Sequence, residues 1–225
     1  MKNLFDQKKG NKCQCGKTKD PNGNCDGSHL NIQNILKSIV LIICILFSSI
    51  TFAITSSSEN SKEINTKKST ILWKGDKVTG SHEGIIKIKS GILLFDNKKV
   101  IGGEFEIDMS SLSCTDLSGE YKSKLEGHLK SDDFFGVKKF PTSTLKIKKI
   151  KKQKGNVYKC TAEITIKGKT ETIQFNTTLN KNSATAKITI DRTKFDVKYG
   201  SGSFFDGLGD NMIYDEFVLN IDLSF

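Results

Sequence analysis

The chain is 225 residues long, 36% hydrophobic and 27% charged, with a formal net charge of +10. Six cysteines in such a chain do not make a disulfide framework, and the portion from residue 62 onward is long enough to bury a core without one. Charge is spread unevenly: residues 1–37 carry seven Lys and three acids, residues 38–58 carry no charge, and residues 62–225 carry 28 basic against 21 acidic side chains.

The first motif is "CQCGKTKDPNGNCDGSH", Cys13–His29. Cys13-x-Cys15 brings two thiolates close enough to share one metal, and Cys25 and His29 supply a second pair. Gly27 between them permits the tight turn that returns the imidazole to the sulfur's side. Such pairs suit zinc or an iron–sulfur cluster, and a His in place of one thiolate changes the redox tuning. The string resembles the CDGSH iron–sulfur family, matching its pattern at Cys13, Cys15, Thr18, Pro21, Cys25, Asp26, Gly27, Ser28 and His29. It departs in the middle, where Pro21 comes one residue early and the Cys15–Cys25 loop is one residue longer. The resemblance implies a [2Fe–2S] cluster with one iron on Cys13 and Cys15 and the other on Cys25 and His29; a zinc knuckle is the alternative. Residues 1–30 form this first unit.

Residues 31–54 come next. Ser38–Ile54 is 17 residues without a charge, about 25 Å long as a helix and close to the thickness of a hydrocarbon core. One reading is a retained transmembrane anchor with Lys37 snorkelling to the headgroups. The other is a signal segment with Ile39–Phe47 as its apolar stretch and cleavage after Ala53. Both export the C-terminal portion, and the N-terminal lysines keep the first unit in the cytosol. The expected localisation is the cell envelope: single-pass in the inner membrane with a periplasmic C-terminal domain, or secreted to the periplasm after cleavage. Residues 55–68 are polar and read as a flexible tether.

From Ile71 onward short segments carry β-branched or aromatic residues at period two. In "EFVLNIDLSF" Phe217, Leu219, Ile221, Leu223 and Phe225 share one face, and in "GGEFEID" Phe105 and Ile107 do. Adding "ILWKGDKVTG", "HEGIIKIKSGILLFD", "TLKIKKI", "AEITIKG", "TIQFNTTL", "ATAKITID" and "KFDVKYG" gives eight or more strands, which favours a closed antiparallel barrel. One helix interrupts them: in "DLSGEYKSKLEGHLKSDDFF" Leu117, Tyr121, Leu125 and Leu129 form a stripe, Asp116 is the expected cap, and the apolar side should cover a barrel end. The lysine run 146–154 reads as a solvated strand edge or as a patch attracted to anionic headgroups. Without interleaved aromatics it does not read as a nucleic-acid platform.

"HLKSDDFFGVKKFP", with His128, Leu129, Asp133, Phe134, Phe135, Phe140 and Pro141, and "IDRTKFDVKYG", with Asp191, Arg192, Phe195, Tyr199 and Gly200, resemble the YceI-type lipid-binding domain. The resemblance covers residues 69–225. It implies a mainly β fold, a lipocalin-like eight-stranded antiparallel barrel with one capping α-helix, holding an isoprenoid lipid of polyprenyl or quinone type. The expected lining residues are Trp73, Phe105, Leu125, His128, Phe134, Phe135, Phe140, Phe195, Tyr199 and Phe217, with Phe134 and Phe135 at the mouth. No nucleophile elbow or HExxH spacing accompanies His82 or His128, so the expected activity is binding or carriage without catalysis. The alternative is a membrane-tethered redox protein using the N-terminal cluster.

Overall fold

The computed structural model describes residues 60–225 together with Gln14, Lys19 and residues 21–23. The expected metal ligands Cys13, Cys15, Cys25 and His29 and the segment 31–54 lie outside the described residues. Among the described residues no helix is long and apolar enough to cross a membrane, and no group of His, Cys, Asp and Glu is placed to hold a metal.

Ser57–Phe225 is one compact unit. Its strands are β1 Asn60–Glu63, β2 Thr70–Lys77, β3 Gly80–Asp96, β4 Lys99–Cys114, β5 Thr142–Lys152, β6 Val157–Ile166, β7 Lys169–Leu179, β8 Ser183–Asp191 and β9 Ile213–Ser224. A single helix, α1 Gly119–Lys130, joins β4 to β5, and a 3-10 turn, Arg192–Phe195, comes after β8. All pairings are antiparallel, and β3 pairs with both β2 and β4, which closes a ring of eight strands, β2 to β9. The short β1 extends the wall: it pairs with Ile92–Phe95 of β3, while β2 pairs with the Gly80–Ile86 half. The expected barrel with one helix is therefore what forms.

Connections divide the barrel into two ends. The helix end holds α1, the β2–β3 and β6–β7 turns and the 192–212 loop. The entry end holds β1 and the β3–β4, β5–β6 and β7–β8 turns. Two turns are two-residue hairpins with both central residues at positive φ, Asn97–Lys98 at 46° and 68° and Lys167–Gly168 at 49° and 75°. That backbone matches the right-handed twist of the flanking strands. Gly84 is required for a different reason: a Cβ there would overlap the Ser113 carbonyl oxygen and the Trp73 indole.

Four sequence expectations need correction. The tether 55–68 stops before Asn60, because Asn60–Glu63 is a strand and Ile64 is buried at 7% exposure; this isoleucine, alone in a polar stretch, packs against Gly91 and its neighbours. "KFDVKYG" is no strand: Asp191 accepts a hydrogen bond from the Thr193 N–H at 3.0 Å, and Asp196 takes a left-handed φ of 60°, so the chain coils instead. In α1 the cap position is Ser118, and Tyr121 points to solvent at 75% exposure; only Leu125 and Leu129 of the stripe face the core. Finally, the lysine run is a sheet edge only in part: β5 pairs with β6 over Thr144–Lys152 but with β4 only over Thr142–Ile147, so Lys148–Lys152 has a paired neighbour on one side alone. A register shift between Ile147 and Lys149 explains the doubled Lys148–Lys149: one extra residue lets Leu145, Ile147 and Ile150 all face inward.

The ring is least zipped between β7 and β8, where register pairs run only from Thr177–Ala186 to Leu179–Ala184. Toward the helix end these strands part, and Phe195 from the 3-10 turn joins Ile164, Ile166, Ile188 and Ile190 in a buried cluster. A larger cluster around Ile88, Leu93, Met109, Leu112, Leu129 and Phe134 fills the other side.

Candidate functional site

The inward faces of the strands enclose an apolar cavity of about 240 Å³. It runs from Phe134 and Phe135 at the helix end to Val100, Ile150, Leu179 and Leu223 at the entry end. Period-two alternation places Phe217, Leu219 and Ile221 of β9 and Phe105, Ile107 and Met109 of β4 on its wall. Such a surface binds chains of methylene and methyl groups by keeping them from water, at about 0.8 kcal/mol per CH2.

Seven of the expected residues line this space: Trp73, Phe105, Leu125, His128, Phe134, Phe135 and Phe217. Trp73 is fixed by its Nε1–H, which donates to the Ser113 carbonyl at 3.2 Å. The adjacent Phe134 and Phe135 both reach the cavity because residues 131–137 form a compact turn rather than a strand. Its N–H groups at 134, 135, 136 and 137 donate back to Ser131, Leu129, Ser131 and Lys130 carbonyls, satisfying the end of α1. The two rings meet edge to face at 5.1 Å, and Phe135 meets Phe217 at 6.2 Å.

Three expected lining residues serve elsewhere. Phe195 is 1% exposed within the cluster beside the β7–β8 seam. Phe140 packs against Gly136 and Gly168, where a Cβ on Gly168 would lie 2.9 Å from its ring, so it braces the β6–β7 turn. Tyr199 is half exposed and shields His128 with ring centroids 4.4 Å apart.

Polar groups on the wall are few. His128 Nε2 is buried with no hydrogen-bond partner among the described residues, and the ring lies against Phe134 at 5.7 Å. Arg192, 2% exposed, also borders the cavity. Its guanidinium donates to the carbonyls of Tyr214, Val197, Tyr199 and Ile213 at 2.8–3.1 Å and lies 3.6 Å from Asp215 Oδ1. It thereby ties the 192–214 loop to the start of β9. Cys160 is fully buried on the wall, and burial pushes its thiol up to about 11, so it is an apolar lining group at any physiological pH.

One cluster has the composition of a nucleophilic triad. His82 Nδ1 lies 2.8 Å from Asp116 Oδ2, and Cys114 Sγ donates to Asp116 Oδ1 at 2.9 Å. The order is wrong for thiol activation, because the carboxylate and not the imidazole faces the sulfur. Burial and the Asp116 contact both raise the Cys114 pKa, which favours the unreactive thiol. Burial acts to raise the Asp116 carboxyl, but hydrogen bonds from Cys114, His82 and the Glu83 N–H outweigh it and hold the group at about 2. The cluster clamps β3 to the segment entering α1.

Sequence reasoning misses Arg192 and Cys160 as wall residues. Arg192 stands within a recognisable motif, but its burial is set by four carbonyls, two of them, Ile213 and Tyr214, at the start of β9 where no local pattern displays them. Cys160 sits at an inward position of "YKCTAEITI", and its alternation with Ala162 and Ile164 is a usable signal.

The profile of the YceI-like domain matches residues 63–225. Among solved structures the chain is similar to Burkholderia cenocepacia BcnA, with 24% identity and a TM-score of 0.54 over 71% of this chain and 98% of that one; this likeness shows the fold. It is also similar to a Campylobacter jejuni YCEI protein, at 21% identity and a TM-score of 0.45 over 61% and 77% of the two chains. A polyisoprenoid-binding domain from Saccharophagus degradans, implicated in plant cell wall breakdown, aligns at 12% identity and a TM-score of 0.49 over 73% and 97%. No curated protein matches the chain.

Proposed function

The chain belongs to the YceI-like family, and from that premise we propose that it binds and carries an isoprenoid lipid, of polyprenyl or quinone type, in the cell envelope without chemically altering it. The observation that supports this most is the cavity itself: long, apolar, and continuous from one end of the barrel to the other. A slim branched hydrocarbon suits such a wall better than a compact polar metabolite, which would leave its hydrogen-bonding groups unpaired. His128 Nε2 and Ser143 Oγ, both on residues of the cavity wall toward the helix end, are buried without a hydrogen-bond partner among the described residues and are available to a headgroup.

Trp73 is the only tryptophan in the chain and lies on the cavity wall. Titrating a long-chain quinone into delipidated barrel, residues 57–225, should therefore quench its fluorescence saturably. Phe135→Asp puts an unpaired carboxylate in the cavity and should remove the quenching while the far-UV β signature persists. Unsaturable quenching, equal in both proteins, would count against the reading.

On the Cys13, Cys15, Cys25 and His29 spacing we further propose a cytosolic [2Fe–2S] cluster, and on residues 31–54 a membrane anchor that leaves the barrel in the periplasm. Iron and acid-labile sulfide in equal amounts after anaerobic purification would support the cluster; zinc without sulfide would refute it. Accessibility of the barrel, but not of residues 1–30, to periplasmic protease would support the topology.

A further inference from the structure

Charge is divided between the two ends of the barrel. At the entry end Lys148, Lys149, Lys151, Lys152 and Lys154 succeed one another along β5 and its turn, all exposed. Lys98 and Lys99 of the β3–β4 turn, Lys181 of the β7–β8 turn, and Lys67 and Lys68 between β1 and β2 are exposed on the same end. Of these, only Lys148 has an ion pair among the described residues, with Glu163 at 3.0 Å. At the helix end several lysines are answered by acids, Lys122 by Glu126, Lys124 by Glu120, Lys139 by Asp132, and Lys198 by Asp196, while Lys138 and Lys194 are exposed and scattered rather than in a run.

The polypeptide enters the barrel at the basic end, since β1 begins at Asn60, opposite Phe95 and beside the β3–β4 turn. In sequence the uncharged stretch Ser38–Ile54 precedes Asn60 by a short spacer, whose covalent reach is at most about 20 Å. The exposed aromatics Tyr121, Tyr199, Phe204, Phe205 and Tyr214 all belong to the helix end. The lysines therefore lack the stacking platforms that a single-stranded nucleic acid needs.

We infer that the entry end is a docking surface for an anionic lipid bilayer, on which the barrel stands with its helix end turned away. Several exposed, unpaired lysines on one face raise affinity for such a surface by about fivefold each. The paired lysines of the helix end are already answered by neighbouring carboxylates. Docking does not depend on which ligand fills the cavity, so it can fail while the carrier reading holds, and the reverse.

The barrel can be tested alone: Ser57–Phe225 is a compact unit, and its counterpart accounts for 98% of the BcnA structure. Residues 57–225 should co-sediment with vesicles of phosphatidylglycerol mixed with phosphatidylcholine, and not with pure phosphatidylcholine, with binding lost at high salt. Lys149→Glu/Lys151→Glu/Lys152→Glu/Lys154→Glu should lower the partition coefficient by roughly a hundredfold or more. Lys138→Glu/Lys194→Glu at the helix end should leave it nearly unchanged. Circular dichroism and thermal melting check that both variants fold, and all substituted side chains are exposed. Equal losses in the two variants, or no preference for anionic vesicles, would overturn the inference. So would binding of single-stranded DNA at a salt concentration where the vesicles are ignored.

Discussion

His128 and Arg192 both lie against the Phe134 ring, yet they have different tasks. Arg192 is committed to four carbonyls and Asp215. Arg192→Met would leave those acceptors buried without donors and should cost about 3–5 kcal/mol in urea unfolding. Arg192→Lys should recover little, because one ammonium cannot reproduce the planar fork. His128 lines the cavity and has a buried ring nitrogen, Nε2, without a hydrogen-bond partner among the described residues. His128→Phe should keep the melting temperature near that of the wild type and weaken a quinone about fivefold while sparing a headless isoprenoid hydrocarbon, the value of one net hydrogen bond. A purely structural histidine would affect both ligands alike. Asp116 sets an acid limit on stability. Its carboxyl is held at about 2 in the fold against an ordinary 3.8, so it stabilises the barrel fully above pH 4. That contribution is lost as pH falls through 2. Asp116→Asn should lower stability at neutral pH by about 1–2 kcal/mol and flatten the acid limb between pH 4 and 2.

At the scale of elements, the turn 131–137 and the close approach at Gly84 matter most. Gly84→Ala must displace either the Ser113 carbonyl or the Trp73 indole, and with them the β3–β4 pairing. It should destabilise the barrel by about 2 kcal/mol or more and shift the Trp73 emission. The strands are legible in the sequence because alternation fixes inside and outside: spacing alone assigns Phe105 and Phe217 to the wall. The bulge in β5 is legible only in part. "KIKKIKK" shows the doubled lysine, but that β5 has neighbours on both sides only up to Ile147 depends on β4 returning after α1. The coil at "KFDVKYG" is hidden because its β-like alternation is overridden by the Asp191 cap and by the left-handed Asp196. Tyr121 departs from expectation for a simpler reason: the stripe at a spacing of four drifts around the helix, and only its last two members reach the core.

For the whole molecule, what decides function is that two apolar clusters face each other across a ring without filling it. Composition and patterning announce the ring. They do not announce the residual space, which depends on how the eleven Phe of residues 60–225 and many Ile divide between filling and lining. Phe195 fills, Phe140 braces and Phe217 lines, and only Phe217 stands in a regularly alternating strand that tells its side. Nor does the order of residues reveal that the lysine run and the aromatic turn lie at opposite ends; that depends on the direction of β5. Carriage requires the cavity to be occupied by an isoprenoid chain. Mass spectrometry of lipids extracted from purified residues 57–225, with Phe135→Asp/Phe217→Asp purified in parallel, tests this most directly. A near-stoichiometric isoprenoid in the wild type, absent from a folded variant, is the predicted result. A wild-type barrel that carries only straight-chain phospholipid, or carries the same isoprenoid as the variant, would contradict it.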